Sequence, residues 1–356
     1  MGKPNIKDIE SGELNTWLTQ RKEPLYRADQ IRRWIFQKGA VAFSEMTNLS
    51  RGLQGALEEA FSISRIETLH RRLSADGTVK FLFGLDGDPG IESVLIPETK
   101  RLTLCLSTQA GCGFGCSFCA TGRLGLRRNL RASEILDQIL EAKKTVVPEG
   151  RITHAVLMGM GEPLANYEQT IKALRIMTDA RDGMGFSPRR VTVSTVGLVP
   201  QMKRLMEETH VNLAVSLHAT TDALRSQLMP INRKYPLREL LSCCRSLPLA
   251  RRRRVTFEYV LLRGINHAAE DSRRLGKLLN GIRCKINLIP FNPHSGSPYR
   301  RPTNEEIVRF QNSLGDLGLQ VNVRESRGDD IHAACGQLQG EYSVASKNLI
   351  RVAGAC

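Results

Sequence analysis

Three cysteines fall within eight residues, Cys112, Cys116 and Cys119 in the run Gly111-Cys-Gly-Phe-Gly-Cys-Ser-Phe-Cys-Ala120. Thiols this close constrain the fold, because one loop must present them together to one inorganic partner. The C-x3-C-x2-C spacing can hold three corners of a four-iron cluster and leave the fourth iron without a protein ligand. A cluster with four cysteine ligands ordinarily only carries electrons, whereas an open iron can bind a small molecule and act on it. Soft thiolates also select zinc, but structural zinc uses paired C-x2-C or C2H2 patterns, which this chain lacks. Nine cysteines in 356 residues are too sparse for a disulfide framework.

The residues around this loop read as a repeating pattern. Likeness to β-strands recurs over 102–107, 154–158, 190–195, 211–216, 255–261, 285–290 and 319–323, each a short apolar run. Helical periodicity fills the gaps, as over 133–147, 167–178, 236–247 and 303–317, the last opening on a Thr303/Glu306 capping box. Strands alternating with helices imply parallel pairing and right-handed crossovers. The expected fold is therefore α/β, a partial (β/α)6 TIM-like barrel over residues 98–345, short of the eight units of a full barrel. Before it, Leu14, Trp17 and Leu18, then Ile31, Trp34, Ile35 and Phe36, then Leu53, Leu57 and Phe61 keep helical spacing, which predicts a small helical domain over 1–62. Strand candidates at Lys80-Phe-Leu-Phe-Gly84 and 91–96 make 63–97 a β-rich connector, and 346–356 is left as a tail.

Composition narrows the partners. The formal net charge of +15 asks for a polyanion, while an aromatic content of only 5% argues against a sheet of base-stacking aromatics. No secretory or myristoylation pattern opens the chain and no segment is long and apolar enough to span a bilayer, so a cytoplasmic protein without a membrane partner is expected. Reduced thiols suit that compartment. Nothing indicates an obligate oligomer, and a monomer is the expectation.

The cysteine spacing resembles that of radical S-adenosylmethionine (SAM) enzymes, whose open iron is chelated by the amino and carboxylate groups of SAM. With that resemblance, polar residues at the C-terminal ends of the strands become candidate cofactor ligands, since this rim is where barrels build sites. Gly159-Met-Gly-Glu-Pro163 offers Gly161 and the carboxylate of Glu162 for the methionyl group. Ser194, the run Ser216-Leu217-His218, and Asn292 follow three other strands. Taken singly each is an ordinary strand-end cap or core residue; their shared rim raises them together. Cys105, on the first barrel strand, and Cys335, in Arg327-Gly-Asp-Asp-Ile-His-Ala-Ala-Cys-Gly-Gln337, stand apart from the loop. A Gly-Asp-rich setting suits Cys335 as a nucleophile, whereas Cys243, Cys244 and Cys284 read as small buried hydrophobes and Cys356 as uninvolved.

Thr108-Gln-Ala-Gly-Cys-Gly-Phe-Gly-Cys-Ser-Phe-Cys-Ala-Thr-Gly122, the Gly-Met-Gly-Glu-Pro loop, Ser216-Leu-His218, Pro290-Phe-Asn-Pro293 and Arg327-Gly-Asp-Asp together resemble the RlmN/Cfr family of radical SAM RNA methyltransferases. Tyr26-Arg-Ala-Asp-Gln-Ile-Arg-Arg-Trp-Ile and Glu45-Met-Thr-Asn-Leu-Ser50 resemble its RlmN branch. The resemblance implies a [4Fe-4S] cluster on Cys112, Cys116 and Cys119 and two SAM molecules per turnover. It implies methylation of carbon 2 of adenosine 2503 in 23S rRNA and of adenosine 37 in tRNAs. One SAM would methylate Cys335. A 5′-deoxyadenosyl radical from the second would take a hydrogen atom from that methyl group, and the carbon radical would add to the adenine. Cys105 would then resolve the protein–RNA adduct by a disulfide with Cys335. External one-electron and disulfide reductants are implied, and Glu92 matches the family's proton acceptor, although by sequence it reads as a surface carboxylate at a strand start.

Arg123, Arg127, Arg128 and Arg131 beside the cysteine loop are candidate phosphate contacts, as are Arg27, Arg32 and Arg33 of the helical domain. Arg251 to Arg254 reads equally as solvated turn or RNA surface. Two alternatives remain open at this level. One is methylation of carbon 8 instead of carbon 2, which uses the same cysteines. The other is a metal-bearing RNA-binding protein without catalysis, which would leave Cys105, Cys335 and the rim unexplained.

Overall fold

The structure is a computed structural model describing residues 2–85, 88–146 and 151–340. The tail expected over 346–356, the last residues of the expected core and Cys356 lie outside the described residues. Ten strands form one sheet in the order β1 (Glu67–Leu73), β2 (Val79–Leu85), β3 (Asp88–Glu98), β4 (Arg101–Cys105), β7 (His154–Leu157), β8 (Val191–Thr195), β9 (Asn212–Ser216), β10 (Val255–Leu261), β11 (Cys284–Pro290) and β12 (Val321–Val323). Two further strands, β5 (Gln109–Cys112) and β6 (Gly125–Asn129), make a separate hairpin. From β4 onward every pairing within the large sheet is parallel, which gives the expected partial barrel. The connector is no free-standing piece: β1, β2 and β3 extend the same sheet as an antiparallel edge.

Alternation along the strands divides the barrel. Leu104, Ala155, Leu157, Val191, Val193, Val215, Phe257 and Leu288 are buried against the surrounding helices. Their neighbours point inward, and at the lower end these are Thr103, His154, Thr192, Thr256, Lys285 and Asn322, which border an open lumen. A full TIM barrel fills this space with branched apolar side chains; here it stays polar. The helix Asn304–Gly315 starts on the predicted box, with the Glu306 amide donating to Thr303 Oγ1 at 3.3 Å and the Thr303 amide to Glu306 at 2.7 Å. Among the described residues no helix is long and apolar enough to cross a membrane.

Three helices, Ser11–Gln20, Tyr26–Arg33 and Arg51–Ala60, form the N-terminal domain, the second running on into a wider turn over Trp34–Lys38. Charged side chains clamp this domain to the barrel. Arg32 is buried and ion-paired with Asp182 at 2.5 Å, and Arg33 Nε donates to the Arg181 carbonyl at 3.0 Å. The reading of Arg32 as an RNA contact is thus corrected, because its helix turns it into the barrel against Asp182; Arg33 stays exposed. Lys7 pairs with Asp137 where both are buried. Burial pushes Asp137 up to about 6 and Lys7 down, opposed in each case by the partner's charge. Such a pair adds little net stability, yet removing one member strands the other charge. Asp137→Ala should therefore cost about 3–5 kcal/mol in urea unfolding, whereas Lys7→Met combined with Asp137→Leu should stay near the parent.

Candidate active site

β4 ends at Cys105, and the chain passes through Ser107 and Thr108 into the β5–β6 hairpin, with the cysteine loop between its strands. The loop is held from several sides. Ser117 N donates to the Leu228 carbonyl at 3.0 Å, Ser117 Oγ lies 2.7 Å from Tyr299 Oη, and the Phe118 ring meets His218 edge-on at 4.8 Å. Cys112, Cys116 and Cys119 border one cavity. Among the described residues no three His, Cys, Asp or Glu side chains converge as ligands of a single ion would, so the three thiols frame a space instead of a tetrahedral shell. Burial, aided by mutual repulsion, pushes Cys112 up to about 12 and raises Cys116 well above its ordinary value; burial also raises Cys119. Thiols so placed ionise only against a bound cationic body, which deprotonates its ligands outright. This donor set fits an iron–sulfur cluster.

The opposite wall is the Gly159–Pro163 stretch. Gly161 has φ +96°, and a Cβ there would stand 2.5 Å from the Gln109 side chain; at Gly159 it would stand 2.7 Å from the Leu106 carbonyl oxygen. Close approach to the end of β4 thus requires both glycines. Glu162 is buried and accepts from the amides of Val196 at 2.8 Å and Leu164 at 3.1 Å, while its own amide donates to Gln109 Oε1 at 2.8 Å. Burial pushes its carboxyl up to about 7 against those hydrogen bonds.

Ser194, Ser216, His218 and Asn292 line the same cavity. His218 sits at φ +58° and accepts from the Val260 amide at Nδ1, 3.0 Å, which leaves the ring proton on Nε2. Burial pushes its pKa down to about 3, so the ring is neutral. Leu217 departs from expectation. It follows the inward Ser216, so alternation turns its side chain into the core, away from the cavity. Arg225, fully buried, donates to the carbonyls of Val196 at 2.9 Å and Ser216 at 3.0 Å and fixes the ends of β8 and β9.

Cys335 lines this cavity too. Its carbonyl accepts from Asn292 Nδ2 at 3.1 Å, the next carbonyl, Gly336, accepts from Ala120 N at 2.8 Å, and Thr121 Oγ1 donates to Leu338 O at 2.6 Å. The segment bearing Cys335 is therefore stitched to the cysteine loop. Cys105 is buried, and burial together with Cys335 pushes its thiol up to about 12, with Arg324 pulling it back. Glu92 is buried on β3, where the surface reading is corrected. It pairs with Lys80 at 3.0 Å and accepts from the amides of Gln339 at 2.8 Å and Gly340 at 3.1 Å. Oε2 alone takes both amides and so grips the chain just past Cys335, while Oε1 faces Lys80.

Arg324 and Glu258, neither singled out from sequence, also face the cavity. Glu258 Oε1 accepts from Asn287 at 2.9 Å, and its buried Oε2 has no partner. A carboxylate inside the apolar run Val255-Thr-Phe-Glu-Tyr-Val-Leu261 was the available signal. Of the loop arginines, Arg128 spends its guanidinium on Glu134 at 2.8 Å, and Arg123 donates to the Ser295 carbonyl at 3.2 Å. Cys243 and Cys244 are buried in the core.

A partial parallel barrel whose first loop turns three thiols toward a Gly-Met-Gly-Glu-Pro wall defines a radical SAM enzyme. Residues 106–276 match the Radical SAM superfamily, and residues 4–63 match the Ribosomal RNA large subunit methyltransferase N-terminal domain. The chain belongs to the RlmN family of dual-specificity RNA methyltransferases. It is 48% identical over 337 residues to the Dual-specificity RNA methyltransferase RlmN of Syntrophobacter fumaroxidans, covering 95% of this chain and 98% of that one. The protein of the same name from Geobacter sulfurreducens is 50% identical, covering 95% and 92%. A crystal structure of a radical SAM methyltransferase from Sphaerobacter thermophilus superposes with a TM-score of 0.89 at 44% identity, covering 95% of this chain and all of that one. Family membership makes this chain a radical SAM RNA methyltransferase and implies a [4Fe-4S] cluster and SAM.

Proposed function

We propose that the protein methylates carbon 2 of adenosine 2503 in 23S rRNA and of adenosine 37 in tRNAs in the cytoplasm, using two SAM molecules per turnover. The observation that carries this reading is that Cys335 lines the cavity framed by Cys112, Cys116 and Cys119. Those three cysteines would hold the cluster; when bound, it supplies the electron that cleaves SAM and so makes a 5′-deoxyadenosyl radical available beside Cys335. Gly161, Glu162, Ser194, Ser216, His218 and Asn292 would bind and orient SAM, with Leu217 acting through its backbone. Carbon 2 of adenine is not nucleophilic, which is why the methyl group passes through the protein. Cys335 takes it by displacement; the methyl group then loses a hydrogen atom to the 5′-deoxyadenosyl radical. The carbon radical joins the base as a covalent adduct, which would have to give up its carbon-2 proton and one electron, acceptable to the oxidised cluster when bound. Cys105 attacks the Cys335 sulfur, releasing the RNA and leaving a disulfide that an external reductant reopens. Glu92 sits at the end of the Cys335 segment as the proposed proton acceptor.

Anaerobic incubation of cluster-loaded protein with SAM, a reductant and 23S rRNA, followed by nucleoside mass spectrometry, tests the reading. 2-Methyladenosine is expected; 8-methyladenosine, or no methylated adenosine, overturns it. The SAM contact of Glu162 carries its own prediction. Its carboxyl, raised to about 7, must be ionised to receive the SAM ammonium. Affinity is then full above that pH and is lost as pH falls through it, by up to about tenfold per unit. Equilibrium dialysis between pH 5.5 and 7 should show that slope, and Glu162→Gln should flatten it.

A further inference from the structure

The two cysteines of the proposed disulfide differ in what they face. Cys335 borders both the upper cavity and the polar lumen below it, whereas Cys105 borders only the lumen. The upper cavity, bordered by Cys112, Cys116, Cys119 and Glu162, is where the cluster and SAM would lie. The lumen runs down the inside of the barrel to a mouth at the exposed Arg101, Arg190 and Asn322, with a cavity volume of about 610 Å³. Its walls are mixed: Thr103, Thr192, Thr256 and Asn287 give a polar track, beside apolar side chains such as Ile96, Val156 and Ile289, and the polar track can hold water.

The lumen also carries more cations than anions, with Arg101, Arg190, Lys285, Arg324 and Arg327 against Glu98, Glu258 and Glu325. Arg101 is neutralised by Glu98 at 2.5 Å, but Arg190 and Lys285 form no ion pair among the described residues. His154, on the same wall, is held below its ordinary value by burial and by Arg101 and Arg190. At the upper end Arg324 lies among Cys335, Glu258 and Cys105. Such a passage attracts small anions and repels cations.

We propose that this lumen is the entry path for a small anionic thiol that reduces the Cys105–Cys335 disulfide from below, an inference that rests on the disulfide of the reading above. The incoming thiolate attacks the Cys105 sulfur, forming a mixed disulfide and breaking the Cys105–Cys335 bond. The Cys335 thiolate leaves beside Arg324 and takes up a proton. A second thiol attacks the mixed disulfide, returns Cys105 to its thiol and departs as the oxidised dimer. Two thiols thus supply the two electrons, and the upper cavity need not empty for the reaction to occur.

The test uses enzyme taken through a single turnover without thiol and then freed of RNA. Recovery of free Cys105 and Cys335 is followed by alkylation and mass spectrometry after adding 2-mercaptoethanesulfonate or, separately, cysteamine. Because the two reagents differ in intrinsic reactivity, the readout is their rate ratio in each variant relative to the parent. Arg190→Glu and Lys285→Glu should each lower the sulfonate-to-amine ratio by about tenfold. Thr192→Trp, which narrows the lumen, should slow both reagents while leaving the single-turnover yield of methylated RNA unchanged. An unchanged ratio in both charge variants, with Thr192→Trp reduced as fast as the parent, overturns the path. Absence of any Cys105–Cys335 disulfide after the turnover overturns the underlying reading, and the path with it.

Discussion

Cys335→Ala is expected to keep its iron and sulfide, and its SAM-cleaving activity, while RNA methylation falls by a factor of order a thousand or more, as loss of a covalent nucleophile usually costs. The substitution removes only the sulfur. The bonds that place the segment use backbone atoms, the Cys335 carbonyl with Asn292 and the Gly336 carbonyl with Ala120, and both survive. Cys112→Ala is the contrasting case, since it takes away one of the three thiols that frame the cavity. Its protein should lose the cluster's visible absorbance together with all activity. Iron analysis beside a methylation assay separates the two variants. Methylated RNA from Cys335→Ala at anything near the parental rate would remove the protein-bound methyl from the scheme.

The second large effect is a product that should not let go. Cys105→Ala is expected to stop after the base has been joined to Cys335, so a single turnover should convert most of the active enzyme to a protein–RNA conjugate visible on a denaturing gel. The parent should show little of it. Burial is the first cause that raises the Cys105 thiol, and it persists in the adduct, where Cys335 carries no charge, so only a small fraction is thiolate at neutral pH and its attack quickens as pH rises. Adduct decay in the parent should accelerate with pH by up to about tenfold per unit while the thiol remains mostly protonated. Rapid, pH-independent release in Cys105→Ala would assign the resolving step to another group.

Much of this was legible in the chain because the barrel strands are short apolar runs ending in polar residues. Ser216 ends its strand as read, Ser194 stands one residue before the end of its own, His218 and Asn292 lie two residues past theirs, and Glu162 lies in the loop after β7. β1 was missed because it is mostly exposed along its length and has no apolar face to alternate. The β5–β6 hairpin was missed for a related reason: its first strand is Gln109-Ala-Gly-Cys112, held by a backbone ladder that leaves no hydrophobic pattern. Arg32 looked like an RNA contact because composition cannot tell a clamp from a solvated charge. Arg324 and Glu258 come from strands far apart in the chain, and only the barrel brings them beside Cys335. The same limit hid the burial of Glu92, a residue singled out by resemblance but read as surface, whose partners Gln339 and Gly340 lie at the opposite end of the sequence.

The bonds from Ala120 to Gly336 and from Thr121 to Leu338 make the metal-holding loop and the methyl-carrying segment one mechanical unit. Oxidative loss of iron would then be more than a local lesion. A loop that relaxes when its inorganic core dissolves also releases the segment bearing Cys335, so both halves of the chemistry fail in the same event. On the proposed chemistry, enzyme that had lost its iron would then neither accept a methyl group nor seize an RNA it could not release.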